Sequence, residues 1–386
     1  MDSNQSRRQF LQTGLALTAA GLASSCMQND ASQSASNAGG AAAGLYRTLG
    51  KTGLKVTGLG YGIGFNPVAE VVEKALDMGV NYFDTARSYG DSEKIFSEII
   101  KGRRDKVVIA TKSSSQGKQE IINDLNTSLE ALGTDYVDIW HLHGLDYWPD
   151  VPDEVVEAMQ ECKKSGKARF VGFSCHDPNK MVDFVLKTKT FDVVQTTYSF
   201  PIGGTYRDNA IKQLHEAGVG IIAMKVVVAL TGLNLKALDN PAARPDGDGP
   251  VAGIKWVLQN PAIGTTVPFM QKISELEMNF RAMTEPYTPA DEKLLYVMNE
   301  QIRPDYCRMC YSCTGVCPKG LPVADMLRFL AYNDFAGNYY QAKTNFKGLA
   351  KEIRDVRCGD CEACAVSCPN GVHVQARLSR AQNLLV

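Results

Sequence analysis

The chain has 386 residues, with 41 Lys plus Arg against 42 Asp plus Glu and a formal net charge of −1. That length holds two domains with a sizeable core, and the balanced charge leaves no footprint for nucleic acid or an anionic membrane surface. With 44% apolar residues, 34 Gly and 16 Pro, the composition is that of a soluble protein rich in turns.

Ser6-Arg7-Arg8-Gln9-Phe10-Leu11 opens a stretch with no charged residue between Arg8 and Asp30. Gln12, Thr13, Gly14 and Gly21 make it too weakly apolar for a comfortable membrane span. It reads instead as a signal h-region behind a twin-arginine n-region, and it resembles a Tat signal. That resemblance implies passage of the folded chain through the Tat translocon to a periplasmic or extracytoplasmic location. Cys26 closes the h-region in Leu22-Ala23-Ser24-Ser25-Cys26, a loose lipobox. Two readings of Cys26 stand level: a lipid anchor, or a residue discarded with the signal by cleavage near Ala41-Ala42-Ala43. Residues 27–44 are a Ser/Ala/Gly/Asn-rich linker, so 1–45 is expected to be signal and tether.

From Tyr46, short apolar runs alternate with amphipathic helical patterns. A Gly-punctuated stretch at 46–56 is expected to form a hairpin that plugs one end of the fold. Strands are expected at 58–61, 82–85, 107–111, 137–141, 170–173, 193–196, 220–224 and 264–267. Helices are expected at 67–78, 93–100, 119–132, 152–165, 179–187, 209–217, 251–259 and 273–283. Eight βα units over about 240–250 residues match a (β/α)8 TIM barrel, placed at 46–295. A doubly wound sheet is disfavoured because no Gly-x-Gly-x-x-Gly turn opens the first unit. The long Pro/Gly/Asp-rich stretch at 229–250 is expected to be a lid.

Chemistry in such a barrel sits at the C-terminal ends of the strands. There the sequence reads Asn81-Tyr82-Phe83-Asp84-Thr85-Ala86 with Tyr89 beyond, Ala110-Thr111-Lys112, and His141-Leu142-His143-Gly144. In order and placement, Asp84, Tyr89, Lys112 and His143 resemble the catalytic tetrad of the aldo/keto reductases, the resemblance covering residues 46 to about 283. It implies hydride transfer between a nicotinamide cofactor, NAD(P)(H), and a small carbonyl or alcohol substrate such as a sugar. Tyr89 would then give or take the proton, its pKa lowered by Lys112, with Asp84 holding Lys112 and His143 orienting the carbonyl. His141 is expected to be a hydrogen-bonded interior residue. For the cofactor, Ser174 and Gln195 match the family's carboxamide contacts, while Cys175 stands where the family has Asn. Lys225 is placed for a pyrophosphate. Glu275 replaces the usual Arg of the 2′-phosphate site, near Lys272 and Asn279, and this tilts the expectation toward NAD(H), since a carboxylate repels phosphate and accepts from a ribose hydroxyl.

The last segment, 296–386, carries eight of the 11 cysteines. They form Cys307-x2-Cys310-x2-Cys313-x3-Cys317-Pro318 and Cys358-x2-Cys361-x2-Cys364-x3-Cys368-Pro369. Zinc ribbons use paired CxxC units with a longer spacer, and two copies of this spacing fit a disulfide framework poorly. The spacing is that of bacterial two-cluster ferredoxins, in which the fourth Cys crosses to the other cluster. Two [4Fe–4S] clusters are therefore expected, one on Cys307, Cys310, Cys313 and Cys368, the other on Cys358, Cys361, Cys364 and Cys317. Helical patterns at 324–332 and 339–351 point to a mainly α-helical module. Cys162 is expected to be a buried apolar residue.

The expected whole is an exported oxidoreductase whose clusters serve a redox partner protein. The alternative is a non-catalytic electron-transfer or scaffold protein whose barrel has lost nucleotide binding, motivated by Cys175 and the missing basic residues. Nicotinamide moves two electrons together whereas each cluster takes one, and no flavin site is recognisable between them.

Overall fold

A computed structural model of the chain describes residues 45–145, 148, 150–228, 248–336 and 339–385. The expected signal, the linker with Cys26, and 229–247 of the expected lid lie outside the described residues.

The first element is the expected hairpin. β1 (Tyr46–Thr48) pairs antiparallel with β2 (Lys55–Thr57). Leu49, fully buried at its turn, sits against the starts of two barrel strands. A Cβ on Gly220 or Gly264 would lie 2.7 or 2.6 Å from the Leu49 side chain, so glycine there makes room for the plug. Lys51 N–H donates to the Gly218 carbonyl at 2.8 Å and fixes it.

The barrel strands are β3 (Tyr61–Gly62), β4 (Tyr82–Asp84), β5 (Val108–Ser113), β6 (Val137–Leu142), β7 (Ala168–Cys175), β8 (Val193–Thr197), β9 (Gly220–Met224) and β10 (Ile263–Thr266). They form one parallel sheet in sequence order. Bridges from Leu59 to Thr266 and from Gly62 to Phe269 join its first and last strands. The helices between them are α1 (Ala69–Asp77), α2 (Ser92–Ile99), α3 (Lys118–Leu132), α4 (Asp153–Lys164), α5 (Val182–Thr188), α6 (Thr205–Glu216) and α7 (Gly249–Leu258), and α8 (Ile273–Thr284) follows the last strand. This is the (β/α)8 barrel expected.

Alternation along the strands separates two cores. Tyr82, Val108, Ala110, Ile139, Val193 and Ile222 face inward and pack on Leu49, Leu54 and Val56 of the plug. Phe83, Ile109, Trp140, Val171, Phe173 and Val194 face the helices. The helices present their apolar stripes to that layer. In α3, Ile121, Leu125, Leu129 and Leu132 are buried, and the helix stops at Gly133, whose left-handed φ of 61° closes the C-cap. Cys162 is buried in the same layer, where burial pushes its thiol up to about 12.

A third core belongs to the C-terminal module. Its helices are α9 (Pro289–Ile302), α10 (Val323–Ala336), α11 (Tyr339–Lys347), α12 (Lys351–Arg354) and α13 (Val374–Leu384). α10 and α11 extend the two helical patterns expected there. α9 begins with a capping box between Thr288 and Asp291 and runs through position 295, the expected domain boundary. Its Leu295, Met298 and Ile302 join the module's core, while Lys255 on α7 reaches Asp291 at 3.5 Å and Glu285 at 2.8 Å. α10 and α13 each start six residues after the fourth cysteine of a run, 317 to 323 and 368 to 374, so each cysteine loop leads into a helix at the same offset.

Candidate active site and cysteine loops

β4 ends on Asp84, and neighbouring β5 carries Lys112. Both are buried, and the Lys112 ammonium donates to Asp84 Oδ2 and to the Thr85 carbonyl, each at 2.6 Å. Beyond β4 the chain keeps bonding to the ladder, Thr85 N to the Ala110 carbonyl and Arg87 N to the Lys112 carbonyl. The turn that follows brings Tyr89 back over the strand ends, with Lys112 Nζ 5.8 Å from its ring centroid. His143, just past β6, meets Tyr89 edge to face at 5.7 Å. The four residues singled out in the sequence are thus assembled on one face, at the C-terminal ends of the strands.

Their electrostatics depart from expectation in one respect. Burial, then the charge of Asp84, then Tyr332, hold the Tyr89 phenol above the usual tyrosine range. Lys112 was expected to lower it, but that ammonium is spent on Asp84 and the Thr85 carbonyl, and its own pKa is lowered by burial. Tyr89 is therefore a firmly protonated donor. Burial, Lys112 and Lys225 push His143 down to about 3, so its imidazole is neutral. His141 is fully buried lower in the barrel against Gly172, and burial, Lys112 and His143 hold it well below its ordinary value. It is the interior residue expected, but among the described residues neither ring nitrogen has the hydrogen-bond partner expected for it.

The cofactor residues divide. Ser174 Oγ accepts from Gly144 N at 2.9 Å. Gln195 donates through Nε2 to Asp84 Oδ2 at 3.1 Å. Among the described residues, Gln195 Oε1, Asp84 Oδ1 and Asn279 Oδ1 are buried without a protein partner. Buried polar atoms normally find a partner, so these fit a polar ligand that Ser174, Gln195, Asn279 and half-buried Lys225 would hold, as a nicotinamide nucleotide requires. Two expected contacts do not fit. Cys175 is fully buried with Val171 and Phe173 in the helix-facing core, because the two-residue period of β7 turns it away from Ser174. Glu275 Oε2 accepts from the backbone of Gln271 at 2.8 Å and Lys272 at 3.3 Å, capping α8, so that carboxylate is engaged in the fold.

The sequence pointed to a lid at 229–250 and not to the C-terminal module as a cover for the mouth. Tyr332 of α10 is buried there, its hydroxyl 3.1 Å from His176 Nε2 and its ring 4.8 Å from Lys225 Nζ. Arg328 of the same helix is buried and, after burial itself, lowers Lys225 to about 8. The C-terminal module thus contributes side chains to the barrel's active face. A helix pattern alone does not say which face of α10 meets the barrel.

The two cysteine runs fold into loops joined by one antiparallel bridge. Thr314 and Ser367 exchange backbone hydrogen bonds at 3.0 and 2.9 Å. Gly315 lies so close that a Cβ would come within 2.1 Å of the Ala365 carbonyl. This crossing mixes the runs. The Cys307 thiol is pushed up to about 12 by burial and then by Cys310, Cys313 and Cys368. Cys358 is raised to about 11 by burial, then Cys317, Cys364 and Cys361. Each group of neighbours is three cysteines of one loop plus the fourth of the other, the grouping that a crossed pair of clusters would need. Among the described residues no three His, Cys, Asp or Glu side chains converge as ligands of a single ion. A cubane needs no such convergence, because each thiolate binds a different iron.

The aldo/keto reductase family profile matches residues 53–248, and a 4Fe-4S dicluster domain profile matches 299–369. The chain belongs to the aldo/keto reductase family and is an oxidoreductase of that type, acting on CH–OH or C=O groups. It is 26% identical over 280 residues to the uncharacterized oxidoreductase YqkF of Bacillus subtilis, covering 61% of this chain and 90% of that one. It is 28% identical over 281 residues to L-galactose dehydrogenase of Arabidopsis thaliana, covering 62% and 88%. Among solved structures, an aldo-keto reductase from Bacillus halodurans in its holo form shares the barrel fold, with a TM-score of 0.55 at 24% identity over 66% of this chain and 95% of that one.

Proposed function

We propose that this protein is a Tat-exported oxidoreductase that moves hydride between NAD(P)(H) and a hydroxyl or carbonyl of a sugar-like substrate, with two [4Fe–4S] clusters that exchange electrons with a partner protein. The observation that carries the enzymatic part is the buried Lys112–Asp84 pair at 2.6 Å with Tyr89 and His143 beside it. Likeness to L-galactose dehydrogenase supports a polyhydroxylated substrate. Arg7-Arg8 with the uncharged stretch behind it supports export, and Cys26 offers a lipid anchor.

A bound nicotinamide supplies or accepts the hydride. Everything else falls to the chain. Tyr89, protonated at neutral pH, donates to the developing alkoxide; the buried charge on Lys112 stabilises the resulting phenolate, and Asp84 keeps that charge in place. Neutral His143 orients the carbonyl from the other side. With Glu275 engaged in capping α8, the preference for NAD(H) over NADP(H) rests only on the missing arginine.

Protein purified anaerobically after export is to be assayed on a panel of aldoses, ketoses and alditols, with NAD, NADP and an artificial one-electron acceptor in parallel. Turnover with a nicotinamide nucleotide is expected. Cluster-loaded protein that binds neither NAD(H) nor NADP(H) on titration would overturn the nicotinamide reading.

A further inference from the structure

Arg207 lies on α6 of the barrel and is only 1% exposed, yet among the described residues it has no carboxylate partner. Its guanidinium instead donates to two carbonyls, Met309 O at 2.8 Å and His176 O at 2.5 Å. Met309 sits between Cys307 and Cys310. A buried charge is costly unless a counter-charge compensates it. An iron–sulfur cubane on four thiolates carries net negative charge, and it would stand within this loop.

Other contacts fall on the same loop. Barrel residue Lys180 lies 3.8 Å from the Tyr311 ring centroid. Asn370 Nδ2 donates to Cys310 Sγ at 3.3 Å, and half-buried Arg308 is anchored to Asn299 at 2.9 Å. The second loop is held from inside the module: Cys358 N donates to Gln382 Oε1 and Gln375 Nε2 to the Cys361 carbonyl, both at 3.0 Å and both on α13. On the first side the contacts continue to the mouth, from Arg207 to His176 and from His176 to Tyr332.

We infer that the two clusters are inequivalent: the one on Cys307, Cys310, Cys313 and Cys368 faces the catalytic barrel, and Arg207 is the buried barrel cation that compensates its charge. This rests on the two-cluster reading above. Net charge and hydrogen bonds to sulfur set cluster potentials. Each added electron makes a cluster more negative, so removing a nearby cation makes reduction harder.

The test is a redox titration followed by electron paramagnetic resonance on holoprotein, wild type against Arg207→Gln, Arg207→Lys and Arg308→Gln. A Cys361→Ser variant, altered in the second set only, identifies the waves. The wild type is expected to show two waves. Arg207→Gln should move the first-set wave to a more negative potential and leave the other in place, while Arg207→Lys moves it less. Arg308→Gln, within the module, should move the same wave even if Arg207→Gln does not fold. Equal movement of both waves, or movement of the second alone, overturns the inference. Wild-type holoprotein with well under about eight irons per chain overturns the two-cluster reading itself, which separates the two failures.

Discussion

The two ends of the barrel are built on opposite principles. At the N-terminal end, Leu49 fills the opening and charges are matched: Asp138 takes Arg104 at 2.9 Å, Arg169 at 2.6 Å and Ile109 N–H at 3.0 Å. At the C-terminal end, Gln195 Oε1, Asp84 Oδ1 and Asn279 Oδ1 are left without protein partners, and Lys225, Arg328 and Arg207 gather around His176. At one end the protein pairs its own charges. The other carries buried polar oxygens that a ligand would satisfy and draws cations together around the mouth, which is where function is expected.

Changes at the two ends should therefore separate activity from stability. The largest effect is expected for Tyr89→Phe, which removes the proton donor: the carbonyl reduction rate should fall about 10²–10⁴-fold with an unchanged melting temperature. A variant retaining more than half the rate would remove Tyr89 from the mechanism. At the other end, Leu49→Ala should cost about 2–5 kcal/mol in denaturant unfolding and leave kcat intact, because it opens a cavity far from the tetrad. A large loss of kcat in protein that is still folded would show that the plug shapes the site. Asp138→Ala should cost less, about 2–3 kcal/mol, since the Arg169 side chain is 49% exposed and water can replace its partner. Smaller again is Tyr332→Phe, which deletes the hydroxyl facing His176: KM should rise about threefold to tenfold with kcat nearly constant, a loss of about 1 kcal/mol. Unchanged KM across the substrate panel would make Tyr332 a packing residue only.

The mouth also sets a pH dependence. Burial holds His141 and His176 well below the ordinary histidine range and His143 at about 3. Below about pH 6.5 the unfolded imidazoles take up protons that the folded ones refuse, so stability falls as pH falls. The melting temperature should drop steadily from pH 7 to pH 4, and His176→Asn should flatten that slope. A melting temperature independent of pH over this range would contradict the buried neutral imidazoles.

Much of this was legible in the chain. The short apolar runs placed all eight strands to within a few residues, whereas α9, capped by Thr288 and Asp291, was not expected. Asp84, Lys112 and His143 were found because strand ends are where such barrels do chemistry. Cys175 shows a signal left unused: Val171, Phe173 and Cys175 share one face of β7, so the strand period itself turns the thiol from the site. Glu275 shows the reverse, since a carboxylate three residues into a helix is equally a cap or a ligand until its geometry is seen. His176, Arg207 and Tyr332 carried no signal. A buried arginine on an amphipathic helix reads like an exposed one, and a tyrosine on α10 does not name its neighbour.

What the sequence determined by itself is local: the cysteine spacing, the strand period, the signal-like opening and the tetrad's residue types. Each depends on a few consecutive residues and on the fixed geometry of helix or strand. Only the tertiary structure decided that Arg207 reaches the first cysteine loop, that α10 covers the barrel mouth, and that Tyr89 is held protonated. These depend on contacts between segments tens to hundreds of residues apart, and on the burial that such contacts create.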